Sequence, residues 1–199
     1  MADLIIGSHN VTEMLKQTYT DLEDGWLTLI QLPPQTTMAV NIEAIKTLQT
    51  MDAGGIYLTL SQSCSQLLPR LQKAGVDTGK ILFIDGISRM QGAKELEEPN
   101  VTYVAGPLAI DEMTNNIHTL APKITGDRKY LFLDSITTVM LYNSLETTLK
   151  FSQFIQDITK QMQLVGIVAS ISNQVAHNEL IEELSKLANK VICLEEPSS

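Results

Sequence analysis

The chain reads as an α/β domain of three layers, a doubly wound and mostly parallel β-sheet with helices on both faces. Two observations predict it. Short apolar runs alternate strictly with longer amphipathic stretches, and parallel strands joined through right-handed helical crossovers produce that order. The short runs are also continuously apolar, without the polar alternation of a half-wetted sheet, so both of their faces must be covered.

Taken in order, an amphipathic helix near residues 11–22 belongs to an extension, residues 1–25, expected to pack at a sheet edge or on a partner. The predicted strands are 28–31, 55–60, 81–85, 101–104, 130–134, 164–170 and 191–194, each rich in Val, Ile, Leu, Phe or Tyr and bounded by turn residues. Between them the periodicity predicts helices. Residues 38–51 carry Val40, Ile42, Ile45 and Leu48, and residues 63–74 carry Leu67, Leu68 and Leu71 before Gly75. Residues 108–121 follow Gly106-Pro107, and residues 177–188 carry Leu180, Ile181, Leu184 and Leu187. The longest helical pattern, 138–162, sets Leu141, Leu145, Leu149, Ile155, Ile158 and Met162 toward one sheet face. The polar segment 88–99 is expected to be a solvated loop or short helix.

With 199 residues the chain fits a single domain spanning 1–199, long enough to bury roughly 70% of its unfolded surface. A net charge of −9 without any dense Lys/Arg cluster excludes a nucleic-acid groove, which must neutralise phosphates. Aromatic residues at 5% are too few for a base-stacking platform. Two cysteines, Cys64 and Cys193, stand far apart and fit buried free thiols in a reducing compartment. An acid, Asp3, sits where a signal peptide needs bases, and no apolar run approaches the ~18 residues of a membrane span. The expectation is a soluble cytoplasmic domain that binds neither membrane nor nucleic acid.

Chemistry in such sheets gathers beyond the carboxyl ends of the strands. Three loci lie there. The first is the turn Leu32-Pro33-Pro34-Gln35-Thr36-Thr37-Met38-Ala39, between a strand and a helix. It has the place of a phosphate-binding loop, G-x-x-x-x-G-K-[ST], but Leu32 and Thr37 stand at the glycine positions, Met38 at the lysine and Ala39 at the metal-binding hydroxyl. The helix N-terminus and the hydroxyls of Thr36 and Thr37 remain; either Thr is expected to act as an N-cap, and together they could hold an anion. The second locus is Tyr130-Leu131-Phe132-Leu133-Asp134-Ser135, an apolar strand ending in an acid, the pattern that orients magnesium beside a nucleotide. The third is Gly55-Ile56-Tyr57-Leu58-Thr59-Leu60-Ser61-Gln62.

Together these motifs resemble the RecA-type ATPase superfamily, in the branch of KaiC and its archaeal relatives. The two prolines and a Thr of the loop are kept, 131–135 matches the acid-bearing strand, and 67–77 is similar to the helix with a Gly exit that follows the third locus. Asn189-Lys190-Val191-Ile192-Cys193-Leu194-Glu195 resembles a late strand of these domains. The resemblance covers roughly residues 25–196 and implies a RecA-like fold. It also implies an acidic pair to activate water, where this chain has Ser61-Gln62.

Loop glycines, lysine, hydroxyl and acidic pair are replaced together, which predicts a pseudo-ATPase with no catalytic residue and no required cofactor. Gln35, Thr36, Thr37, Met38 and Asp134 would form a vestigial nucleotide site able at most to retain ATP or ADP. The implied role is a regulatory or scaffolding subunit, as a homo-oligomer or beside a catalytic relative. One alternative is a weak nucleotide or anion sensor; another is an enzyme of unrelated chemistry using Ser61, Gln62, Asp134, Ser172 and Asn173. His9, His118 and His177 have no metal-ligand spacing, no G-x-S-x-G or G-x-G-x-x-G follows a strand, and Asp85 lacks the partners of a receiver-domain phospho-acceptor.

Overall fold

The structure, a computed structural model, describes residues 4–6, 17–171 and 178–194. Strand β1 (Leu4–Ile6) comes first, then β2 (Leu27–Leu32), α1 (Thr37–Gln49), β3 (Ala53–Thr59), α2 (Cys64–Lys73) and β4 (Ile81–Asp85). The second half holds β5 (Val101–Tyr103), α3 (Ile110–Leu120), β6 (Arg128–Asp134), α4 (Ile136–Tyr142), α5 (Leu145–Gln161), β7 (Val165–Ile171), α6 (Asn178–Leu187) and β8 (Lys190–Leu194). The eight strands form one sheet in the order β1-β8-β2-β7-β6-β3-β4-β5, and every pairing is parallel.

Alternation along each strand divides the core in two. Ile30 and Leu32 of β2, Tyr57 of β3, and Tyr130 and Phe132 of β6 pack with Val40, Ala44 and Leu48 of α1 and Leu67 and Leu71 of α2. On the opposite face Leu27, Leu29, Ile56, Leu58, Leu131 and Leu133 meet α3, α5 and α6 through Met113, Ile117, Phe151, Ile155 and Leu184. Continuously apolar strands are thereby covered on both sides, as their composition requires.

Three elements differ from the sequence-based expectation, two of them near the N-terminus. The run Leu4–Ile6 is a strand, paired Leu4↔Ile192, Ile5↔Cys193 and Ile6↔Leu194. Three residues cannot hold a strand alone; the exposed edge of β8 supplies the hydrogen bonds. Of the helix expected at 11–22, residues 17–20 are helical, with Tyr19 and Leu22 buried in the α1/α2-side core, and 11–16 lie outside the described residues.

The helix expected over 138–162 is two helices. Asn143 takes an extended conformation and Ser144 begins α5 as its N-cap, accepting from the Thr147 N–H at 3.2 Å. A local cap outcompetes helix continuation because Ser and Asn bond readily to nearby backbone. The break turns Leu141 away from the sheet, and it is exposed instead of core-facing.

At the amino end of β3, a Cβ on Gly54 would overlap the carbonyl oxygen of Thr125, and one on Gly55 would overlap the Tyr130 ring. Backbone cannot yield as a side-chain tip can. Gly54→Ala is expected to lower stability by about 1–3 kcal/mol, read as a reduced urea midpoint with unchanged slope.

Candidate functional site

Side-chain alternation decides what reaches the carboxyl end of the sheet. On β6, Tyr130, Phe132 and Asp134 share the face covered by α1 and α2, and on the neighbouring β3 Tyr57 points the same way. The Tyr57 ring stacks on Phe132 with centroids 5.0 Å apart. Its hydroxyl therefore projects along the strands toward Asp134.

Asp134 is buried, and its Oδ2 accepts from Tyr57 Oη at 2.9 Å and Ser61 Oγ at 2.8 Å. Asn41, on the inward face of α1, donates to Tyr57 Oη at 3.4 Å. Asp134 Oδ1 and Asn41 Oδ1 are both buried without a hydrogen-bond partner among the described residues. Burial raises the Asp134 carboxyl above its ordinary range, against the opposing pull of the Ser61 and Tyr57 hydrogen bonds and of the nearby Asn41 amide. Burial, and then the neighbouring Asp134, likewise pushes the Tyr57 phenol well up.

Above this network opens a cavity of about 310 Å³. Asp134 and Ser61 border it beside Pro34, Thr37 and Met38 from the loop and first turn of α1. Gln66 and Arg70 also line it, four residues apart and so on one side of α2. Arg70 is the single cation lining it among the described residues. Gln62 Nε2 points to the Met38 sulfur at 3.9 Å.

Thr37, Met38 and Asp134 are thus brought together around one cavity, whereas Gln35 is exposed on the turn and Thr36 does not line it. The threonines are not the expected caps. Thr36 occupies the N-cap position, yet its hydroxyl donates to Pro33 O at 3.2 Å, and that of Thr37 donates to the same oxygen at 3.0 Å. Pro33 O, which also accepts the Thr36 N–H at 3.1 Å, takes both hydroxyl protons and so orients the hydroxyls back into the loop. Ser172 and Asn173, proposed as part of an unrelated enzyme site, and His9 and His177 lie outside the described residues. His118 packs its ring on Phe154 at 5.1 Å.

Tyr57 was legible only as a strand residue, and Asn41 was missed. Its signal was one amide among Val40, Ala44, Ile45 and Leu48 on the buried side of α1. Asp85, at the end of β4, is explained structurally. Its carboxylate accepts from the N–H groups of Cys64 (2.6 Å), Ile87 (2.8 Å) and Ser88 (2.8 Å) and from Ser88 Oγ (2.7 Å), which organises two loops. Burial and the adjacent Asp85 push the Cys64 thiol far up, so it is a core residue and a poor nucleophile. Cys193, expected to be buried, is only half-buried; neither cysteine forms a disulfide.

A cavity at the carboxyl ends of a parallel sheet is common to doubly wound α/β folds, and the solved structures narrow this fold to the RecA/KaiC-like class. KaiC-like protein PH0186 from the hyperthermophilic archaeon Pyrococcus horikoshii OT3 superposes with a TM-score of 0.61 at 18% identity, over 88% of this chain and 75% of its own. An uncharacterized protein from Pyrococcus horikoshii, PH0321, solved in complex with an unknown peptide, matches with a TM-score of 0.61 at 16% identity, over 90% of this chain and 81% of its own. At these identities the likeness is one of fold. The chain belongs to the family of unknown function DUF7090, whose model matches residues 42–199. No curated protein matches it. Among the described residues, no helix is long and apolar enough to cross a membrane.

Two outcomes follow for the buried acids. A carboxyl whose pKa is raised by folding binds more protons folded than unfolded, so stability falls as pH rises from about 4 through the raised value. The stability difference between wild type and Asp134→Asn should therefore shift against wild type over that interval, measured by urea denaturation across pH; a constant difference would refute the assignment. Asp85→Ala strips the acceptor from three buried N–H groups and is expected to cost about 3 kcal/mol or more in the same assay.

Proposed function

We propose that this protein is a non-catalytic KaiC-like domain, a cytoplasmic pseudo-ATPase that works as a regulatory or scaffolding subunit, in a homo-oligomer or beside a catalytic relative. The observation that carries the reading is the wall of the strand-end cavity. Met38 presents a thioether there, and Ser61 and Gln62 stand where water-activating acids belong in the family that the chain resembles.

A nucleoside triphosphate would bring several negative charges against the Asp134 carboxyl, with Arg70 as the one lining cation among the described residues. Hydrolysis needs fixed positive charge on the β/γ oxygens and a positioned water, and these side chains supply neither. The residues do not fit the reaction, and the loop is read as a degenerate Walker A motif. The second acid-strand element persists because Asp134 is tied to Tyr57 and Ser61, a structural use that needs no nucleotide. A fold neighbour solved with a bound peptide is in keeping with work through protein contacts.

The test is turnover and thermal shift with ATP and magnesium. No release of phosphate above blank and no shift are expected. Ligand at a hundred times its Kd would stabilise the fold by about 2.7 kcal/mol, or roughly 5–11 °C for a chain of this size, so binding cannot pass unseen. Magnesium-dependent turnover that is lost in both Asp134→Ala and Asp134→Asn would overturn the proposal. A shift with ADP or phosphate that disappears in Thr37→Val would replace it with the sensor reading.

A further inference from the structure

The sheet's carboxyl end also carries apolar surface that the strand-end cavity does not use. Four large hydrophobic side chains are exposed among the described residues: Leu108 at 68%, Leu141 at 60%, Tyr142 at 43% and Met90 at 41%. All four follow strands of one half of the sheet. Met90 is on the loop after β4, Leu108 on the loop after β5, and Leu141 and Tyr142 close α4 after β6.

They are held as one surface. Met90 lies over Gly106, whose added Cβ would stand 3.5 Å from Met90 Cβ. Asn143 Nδ2 donates to Pro107 O and to Val139 O, both at 2.9 Å, and so pins the loop bearing Leu108 to the end of α4. Beside them a groove of about 600 Å³ runs between α3 and α5, lined by Leu108, Ile110 and Phe154. Exposed apolar area gathered into one rigid patch beside a groove marks a contact surface, unlike hydrophobic residues scattered singly.

The charges around it choose the occupant. Asp111 and Glu112, in the first turn of α3, line the groove and form no ion pair among the described residues, Glu112 Oε2 accepting only from the Ala105 N–H at 2.9 Å. Lys150 also lines the groove but is held by Glu146 at 2.6 Å, and the nearby Arg89 is held by Glu95 at 2.8 Å. A second copy would bring another groove bearing the same unpaired acids, from a chain already at −9, and so offers less charge complementarity than a basic segment.

We propose that this face docks a segment of a different protein that carries an apolar anchor flanked by Lys or Arg. The anchor enters the groove against Leu108 and Phe154, and the basic side chains meet Asp111 and Glu112. The proposal gives the scaffolding reading its surface and rests on it for purpose, but it is measured without nucleotide. A chain that hydrolysed ATP and still bound the probe would lose that reading and keep this one.

The probe is a fluorescent amphipathic helix with one Leu face and one Lys face, and its counterpart has Glu for Lys; binding is read by anisotropy. The Lys probe is expected to bind, more weakly as salt rises, and the Glu probe to fail. Leu108→Asp and Asp111→Lys should each weaken the Lys probe about tenfold or more, while Glu179→Lys, on α6 beyond α5, leaves it unchanged. Both variants alter exposed side chains, and should Leu108→Asp misfold, Asp111→Lys carries the test. No binding of the Lys probe, equal binding of both probes, or indifference to both substitutions would overturn the proposal. So would a dimer in light scattering that Leu141→Asp dissociates.

Discussion

Burial of the sheet on both faces is the constraint from which the remaining features follow. With α1 and α2 on one side and α3, α5 and α6 on the other, a strand has no wetted face on which to carry polar chemistry. Polar groups can emerge only where strands end. Asp85 and Asp134 both stand at such ends, and each has to find donors because it is buried. Asp85 finds four and becomes a clasp between loops. Asp134 finds two on one oxygen and none on the other, and that imbalance makes its surroundings a candidate site.

The two acids show why residue type does not settle role. Both are aspartates that close an apolar strand of a parallel sheet. Backbone N–H groups converge on Asp85, which compensates a carboxylate's lost hydration. Asp134 is met by hydroxyls of Tyr57 and Ser61, a weaker compensation, and burial prevails in raising its carboxyl.

Legibility in the sequence followed the range of the interaction. Strand positions 81–85 and 130–134 were readable because apolar runs of that length report their own burial. The edge strand Leu4–Ile6 was not, since its stability comes from β8, almost the whole chain away. The division of the long helix turned on Asn143 and Ser144, residues common in helix-competent stretches, whose effect here depends on Pro107 O being within reach of the Asn143 amide. At the site, Thr37, Met38 and Asp134 were placed by motif order. Asn41 and Arg70 were not, because a helix residue's direction is known only once its packing face is.

By itself the sequence determined the fold class and the position of the loop at residues 32–39 between a strand and a helix, because these are properties of local pattern. Tertiary structure decided what the remaining groups do. It turned the Thr36 and Thr37 hydroxyls onto Pro33 O, tied Asp134 to Tyr57 across a strand pair, and gathered Met90, Leu108, Leu141 and Tyr142 onto one rim. Those outcomes depend on distances between segments far apart in the chain, which no local pattern encodes.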